Sequence, residues 1–337
     1  MKVAILSSIA WRTPPRKYGP WEQVASTLAE GLIKKGIDVT LFATTDSITN
    51  GQLESVCERP YAEHPEIDPK VWECLHIANL MEKAGRFDII HNHFDFLPLT
   101  YSGLVKTPMV TTIHGFSSPQ IIPVYKKYNR TTNYISISNG DRHPELHYLR
   151  TIYHGLNPED FIFSNKKENY LLYFGRIHPD KGTHTAIGIA KRAGYPLKIA
   201  GLIQDRSYFE NQVKPYIDNE RVFYLGNADP VLRNELLGKA KGLLHPISFE
   251  EPFGLGVAEA MMCGTPVIAF NRGSMAELII DGSTGYLVSD ISEATAAAGK
   301  LDQINPQACR DHAVARFGVD RMIQEYIDVY TQILDDC

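Results

Sequence analysis

Along this chain, short apolar runs alternate with longer stretches whose apolar residues recur at helical spacing, and that alternation constrains the fold more than any single motif. Lys2–Leu6 is the first such run. Trp21–Lys35 follows with Val24, Leu28, Leu32 and Ile33 on one helical face, Gly36 as the stop, and a strand at Val39–Ala43. Strand, helix, strand in that order predicts a parallel α/β unit. Further strands are predicted at Phe87–His91, Met109–Ile113 and Tyr134–Ser138, with a helix over Val71–Ala84. After the polar, turn-rich stretch His154–Asn169 the alternation restarts, with strands at Tyr170–Phe174, Leu197–Ile199, Val222–Tyr224, Gly242–His245 and Val267–Phe270. Asp320–Leu334 then carries Met322, Ile323, Tyr326, Ile327, Tyr330 and Leu334 along one face of a last helix. The 337 residues suit two domains of roughly 150 residues each. Two α/β domains joined by one short linker place a cleft between them, and open parallel sheets bind ligands at the C-terminal ends of their strands.

Charge and cysteine usage narrow the function classes. With 34 basic and 39 acidic side chains and a net charge of −5, the chain lacks the basic footprint that a phosphate backbone requires, so nucleic acid is not expected as a partner. Cys57, Cys74, Cys263, Cys309 and Cys337 are scattered without any Cys-x-x-Cys, which suggests neither a disulfide framework nor a zinc site and fits a reducing cytoplasm. MKVAILSS is too short an apolar run for a secretory signal, and nowhere do about 18 uncharged apolar residues run together. A soluble protein, at most peripheral to a membrane, is expected.

Two segments carry chemistry. In Ile247–Phe270, Pro252 disfavours helix at Glu251, Gly254 and Gly256 keep the backbone bare, and Leu255–Met262 reads as a buried helix ending at Gly264. Such a helix start offers unpaired N–H groups to a phosphate oxygen. Glu250 and Glu251 also complement the helix dipole, whereas Glu259, among core residues, needs a partner or a ligand. In Tyr173–Gly182, a strand ends at Phe174 and presents Arg176 and Lys181 on a loop, a fork and a point charge suited to a diphosphate. Cations and amides for phosphates, with carboxylates for hydroxyls, describe a sugar-nucleotide site. GLGVAE matches only half of a dinucleotide fingerprint, and a nicotinamide site is not expected.

FGRIHPDKG followed by EEPFGLGVAEAMMCGTPVIAFNRGSMAELIIDGSTGYLV resembles the retaining glycosyltransferases of family four, and so do KYGPWEQVASTLAEGLIKKGIDVTLFA, FDIIHNHF, TTIHGF and YISIS. The resemblance spans nearly the whole chain. It implies the GT-B fold, two Rossmann-like doubly wound α/β domains facing each other across a cleft: residues 1–155 as the acceptor domain, completed by a C-terminal helix over 320–337, and 156–319 as the donor domain. Within the family the HPISFEEPFG form most resembles bacterial enzymes that take glucose from UDP-glucose, including pterin glucosyltransferases and exopolysaccharide enzymes.

Roles follow from the resemblance residue by residue. Arg176 and Lys181 match the diphosphate-binding pair, Glu251 the carboxylate facing the donor sugar, and His114 the histidine near the transferred sugar. Glu259 matches the carboxylate on the ribose hydroxyls, Phe253, Gly254 and Leu255 the backbone at the sugar and distal phosphate, Asn227 the base position, and Gly19 the glycine loop of the first domain. Pro20 stands where a second glycine is common, and His154 where Asn is frequent. His91 and His93 share a strand face with no third ligand evident, and no Asp-x-Asp pair occurs, so no metal or other cofactor is expected. Trp11, Tyr18 and Trp21 beside the glycine loop suit either acceptor stacking or core packing. The expected partners are a nucleotide-sugar donor and a hydroxyl acceptor, with the inner membrane face as a place of peripheral contact. A UDP-sugar 2-epimerase or a non-catalytic nucleotide-sugar sensor are the rival readings.

Overall fold

The computed structural model describes residues 1–336. The chain divides into two compact units, residues 1–155 with the segment from Val319 onward, and Leu156–Gly318. Val319 therefore belongs with the first unit, one residue earlier than the sequence division. Each unit is built on one parallel sheet.

In the first unit β1 (Lys2–Leu6), β2 (Asp38–Phe42), β3 (Gln52–Glu54), β4 (Ile89–Asn92), β5 (Met109–Ile113), β6 (Asn133–Ser136) and β7 (Arg150–Thr151) take the order β3-β2-β1-β4-β5-β6-β7. Val3, Ala4, Ile5 and Leu6 are all fully buried, which is why β1 reads as an unbroken apolar run: helices cover both faces of a parallel sheet. The first crossover helix is Pro20–Lys34, with Pro20 at its first position, where a missing N–H costs nothing. It buries Val24, Ala25, Leu28, Ala29 and Leu32, and ends at Gly36, whose φ of 80° no β-carbon favours. The final helix, Val319–Asp335, packs in this unit, burying Met322, Ile323, Tyr326, Val329, Tyr330 and Ile333. Gly31 on the first helix leaves the space that the Ile323 side chain occupies.

The second unit contains β8 (Leu171–Phe174), β9 (Leu197–Ala200), β10 (Val222–Tyr224), β11 (Gly242–His245), β12 (Val267–Phe270) and β13 (Gly285–Val288), in the order β10-β9-β8-β11-β12-β13. All its pairings are parallel. Strand order reverses between β8 and β11, which makes the C-terminal edge of these two strands the switch point at which open parallel sheets bind ligands. Three strands have no counterpart in the sequence reading. β3 and β7 are edge strands of three and two residues with little apolar content, and β13 emerges from the turn Asp281–Thr284.

Candidate functional site

The loops leaving β8 and β11 are zipped together by backbone contacts. Ser248 N–H donates to the Asp180 carbonyl at 2.8 Å, and Gly182, at φ 70°, lies so close to the Pro246 carbonyl that any β-carbon there would collide with it. Gly182 also opens the helix Thr183–Ala193. Lys181 is thereby aimed across the switch point at the loop that carries Glu251.

That loop is clamped from its other side by Asn271–Ser274. Ser274 N–H donates to the Glu251 carbonyl at 2.9 Å and Ser274 Oγ to the Phe253 carbonyl at 2.6 Å, while Gly273, at φ 58°, touches the Glu251 backbone. The Phe253 ring is turned inward, 2% exposed and edge-on to Phe317. Gly254, in the left-handed region at φ 91°, starts the helix Leu255–Met262. Its first intrahelical bond runs from Val257 N–H to the Gly254 carbonyl, leaving the N–H groups of Leu255 and Gly256 ahead of the ladder. Of these two, Leu255 is among the backbone positions, with Phe253 and Gly254, that the resemblance assigns to the sugar and distal phosphate.

Glu251 is 7% exposed and accepts two hydrogen bonds on Oε2, from Lys181 Nζ at 2.5 Å and His245 Nε2 at 3.2 Å. Burial pushes its carboxyl up, but the Lys181 ammonium and His245 more than offset this, holding the pKa at about 2. The His245 imidazole is itself pushed below its ordinary range by burial, against the pull of Glu251. His245 was not singled out in the sequence, although a histidine ending an apolar strand six residues before Glu251 is a legible signal. Arg176, half-buried, is held by the Gln204 side chain.

Glu259 sits further along the same helix. Its partner is Arg233, at 3.4 Å, on the helix Pro230–Lys239. Burial raises the Glu259 pKa and the Arg233 guanidinium opposes the rise. Arg233 also lies over the Phe161 ring at 4.5 Å. No spacing in the sequence links residues 233 and 259; only the packing of two helices brings them together. Asn227 follows Gly226, and the Gly226 carbonyl accepts from Gly201 N–H at 2.8 Å, which joins the loops after β9 and β10.

Gly19 and His114 belong to the first unit. The Gln23 N–H bonds the Gly19 carbonyl at 2.9 Å, and Glu22, 2% exposed, accepts from the Trp11 N–H at 3.3 Å. Burial raises the Glu22 pKa to about 7 against its hydrogen bonds. His114 is the centre of a row of imidazoles: its Nε2 pairs with His93 Nδ1 at 2.9 Å and its Nδ1 with His154 Nε2 at 3.4 Å. Trp21 stacks on its ring at 5.5 Å. His91, whose ring lies 4.1 Å from that of His93, bonds Tyr330 and Thr112. Burial lowers the pKa of all four histidines, to about 3 for His93 and His154, so the row is neutral near pH 7. Trp11 meets Tyr18 edge-on at 5.7 Å. No described helix is long and apolar enough to cross a membrane.

Known proteins share this architecture. Residues 159–311 match the family model described as Glycosyl transferases group 1, and residues 21–156 match Glycosyltransferase Family 4. Glycogen synthase of Mycobacterium tuberculosis is 25% identical over 94% of this chain and 90% of its own length. Among solved structures, sucrose-phosphate synthase from Thermosynechococcus elongatus superposes with a TM-score of 0.82 at 20% identity, covering all of both chains. HepE of Anabaena, solved in complex with UDP-glucose, gives 0.73 at 20% identity over 98% of this chain and all of its own. Matched by one or the other family model over most of its length, the chain is a glycosyltransferase of the GT-B fold.

Proposed function

We propose that the enzyme transfers glucose from UDP-glucose, with retention at the anomeric carbon, to a hydroxyl acceptor. The observation that carries this reading is the constellation at the second sheet's switch point: Arg176 and Lys181 on one loop, Glu251 and two free helix-start amides on the other, and Glu259 farther along that helix. A sugar nucleotide needs each of these groups. The diphosphate meets Arg176, Lys181 and the N–H groups of Leu255 and Gly256, the glucose hydroxyls meet Glu251, and the ribose hydroxyls meet Glu259. HepE, solved with UDP-glucose, supports the choice of donor.

As the glycosidic C–O bond breaks, its electron pair moves onto the diphosphate, where fixed cations and amides stabilise the growing charge more than they stabilise the bound donor. The sugar becomes oxocarbenium-like. The acceptor hydroxyl adds on the same face and passes its proton to the departing phosphate oxygen, so the cycle needs neither a strong protein base nor a metal. Both nitrogens of His114 are engaged by neighbouring imidazoles, so its part is to shape and orient the sugar's surroundings rather than to carry a proton. Exopolysaccharide or glycolipid intermediates and small molecules such as pterins are the acceptor classes proposed. A lipid-linked acceptor would bring this enzyme from the cytoplasm to the inner membrane face. No observation favours an epimerase or a sensor.

Retention is tested by proton NMR of the first glucose released when the enzyme slowly hydrolyses UDP-glucose. The α-anomer appearing before mutarotation is expected. The β-anomer would overturn retention, and no release with any acceptor would overturn transfer.

A further inference from the structure

Glu251 has two donors on a single oxygen, and the proposed donor reading, on which this inference rests, requires one of them to be shared. A diphosphate that draws the Lys181 ammonium toward itself competes with Glu251 for the charge that now rests on it at 2.5 Å. A carboxylate that is 7% exposed and loses its only cation is expected to take up a proton unless another donor remains. His245 is that donor. It ends β11, a strand paired on both sides, and Pro246 follows it against Gly182. Its position is therefore set by the sheet and does not depend on the ligand.

Proton accounting fixes its tautomer. The ionised Glu251 only accepts, so His245 Nε2 carries the hydrogen. We infer that His245 is a positioning residue for Glu251, whose Nε2–H keeps the carboxylate ionised and aimed at the donor sugar while Lys181 moves to the diphosphate. The groups facing Glu251 are few: Lys181 on the loop after β8, His245 at the end of β11, and the Tyr173 hydroxyl of β8, which donates to the Arg176 carbonyl at 2.7 Å. Glu250, next in the chain, turns away to Arg272 and the Gly273 N–H.

The test is calorimetric titration of the whole protein with UDP and with UDP-glucose between pH 5 and pH 8. The ratio of the two affinities isolates what the sugar contributes. In the wild type this ratio should stay constant with pH and collapse in Glu251→Gln. In His245→Phe it should fall about tenfold at pH 5 and recover toward pH 8, as expected if the carboxyl then loses its proton only about one unit above pH 5, with UDP affinity unchanged. His245→Gln, which keeps an N–H, should restore it. At pH 5, adding Glu251→Gln to His245→Phe should cost little further, because both act through one group, whereas at pH 8 it should collapse the recovered ratio. If His245→Phe does not fold, His245→Asn, whose shorter amide falls short of Glu251, serves as the loss variant. A wild-type ratio in the loss variant at every pH, or fully additive losses in the double variant at pH 5, would overturn the role of His245. A wild type that binds neither UDP nor UDP-glucose would instead overturn the donor reading itself, and this inference with it.

Discussion

Lys181 and Arg176 rest on partners that an incoming diphosphate can replace, a carboxylate in one case and a neutral amide in the other. Arg176 gives up less on binding, since Gln204 carries no charge, and its planar fork suits two phosphate oxygens. Arg176→Ala should therefore lower UDP-glucose turnover by about a hundredfold or more while changing KM far less, measured as UDP release. Unaltered kinetics would remove Arg176 from the site. Glu22 provides a separate check through stability. Its folded pKa of about 7 stands above the ordinary 4.5, so the folded state holds that proton more tightly than the unfolded chain does. Its contribution is fully present below pH 4.5 and is lost as pH rises through 7, by about 3 kcal/mol for a shift of this size. Replacing it, Glu22→Gln, should raise the melting temperature relative to wild type at pH 8 and not at pH 4. An equal effect at both pH values would show that folding does not raise the Glu22 pKa.

At the scale of elements, the site is made by loops whose shape depends on contacts distant in sequence. The helix Leu255–Met262 was legible because Gly254, an apolar stretch and Gly264 bracket it, and Lys2–Leu6 was legible as a strand because both its faces are buried. Arg233 opposite Glu259 was not legible, since a salt bridge between two helices leaves no periodicity in either one. The histidine row was half legible: His91, His93 and His114 stood out singly, but their hydrogen bonding follows from the pairing of β4 with β5, which no local pattern encodes. The clamp over Glu251 belongs to the same class, and Gly273→Ala tests it. A β-carbon at φ 58° would strike the Glu251 backbone, so the loop must move. The variant should lose about 1 to 3 kcal/mol of stability in denaturant unfolding and should weaken UDP-glucose binding more than UDP binding. A variant equal to wild type in both would show that Asn271–Ser274 does not set the position of Glu251.

For the whole molecule, the order of elements was the most legible property, since two successive strand and helix alternations separated by a polar stretch lead directly to two parallel sheets. The return of the chain is equally physical: Val319–Asp335 buries an apolar face in the first unit, where Tyr330 and Tyr326 meet His91 and Thr112 at 2.6 and 2.7 Å. Whether the second unit holds a uridine diphosphate sugar, as proposed, is decided by thermal unfolding with UDP, UDP-glucose, GDP-mannose, ADP-glucose and NAD, each in turn. At a hundred times its Kd a ligand stabilises by about 2.7 kcal/mol, which moves the melting temperature by about 4 °C for a chain of this size. A shift with UDP and UDP-glucose alone is expected, reduced for both in Glu259→Gln. A shift with NAD alone, or with none of the uridine compounds, would contradict it.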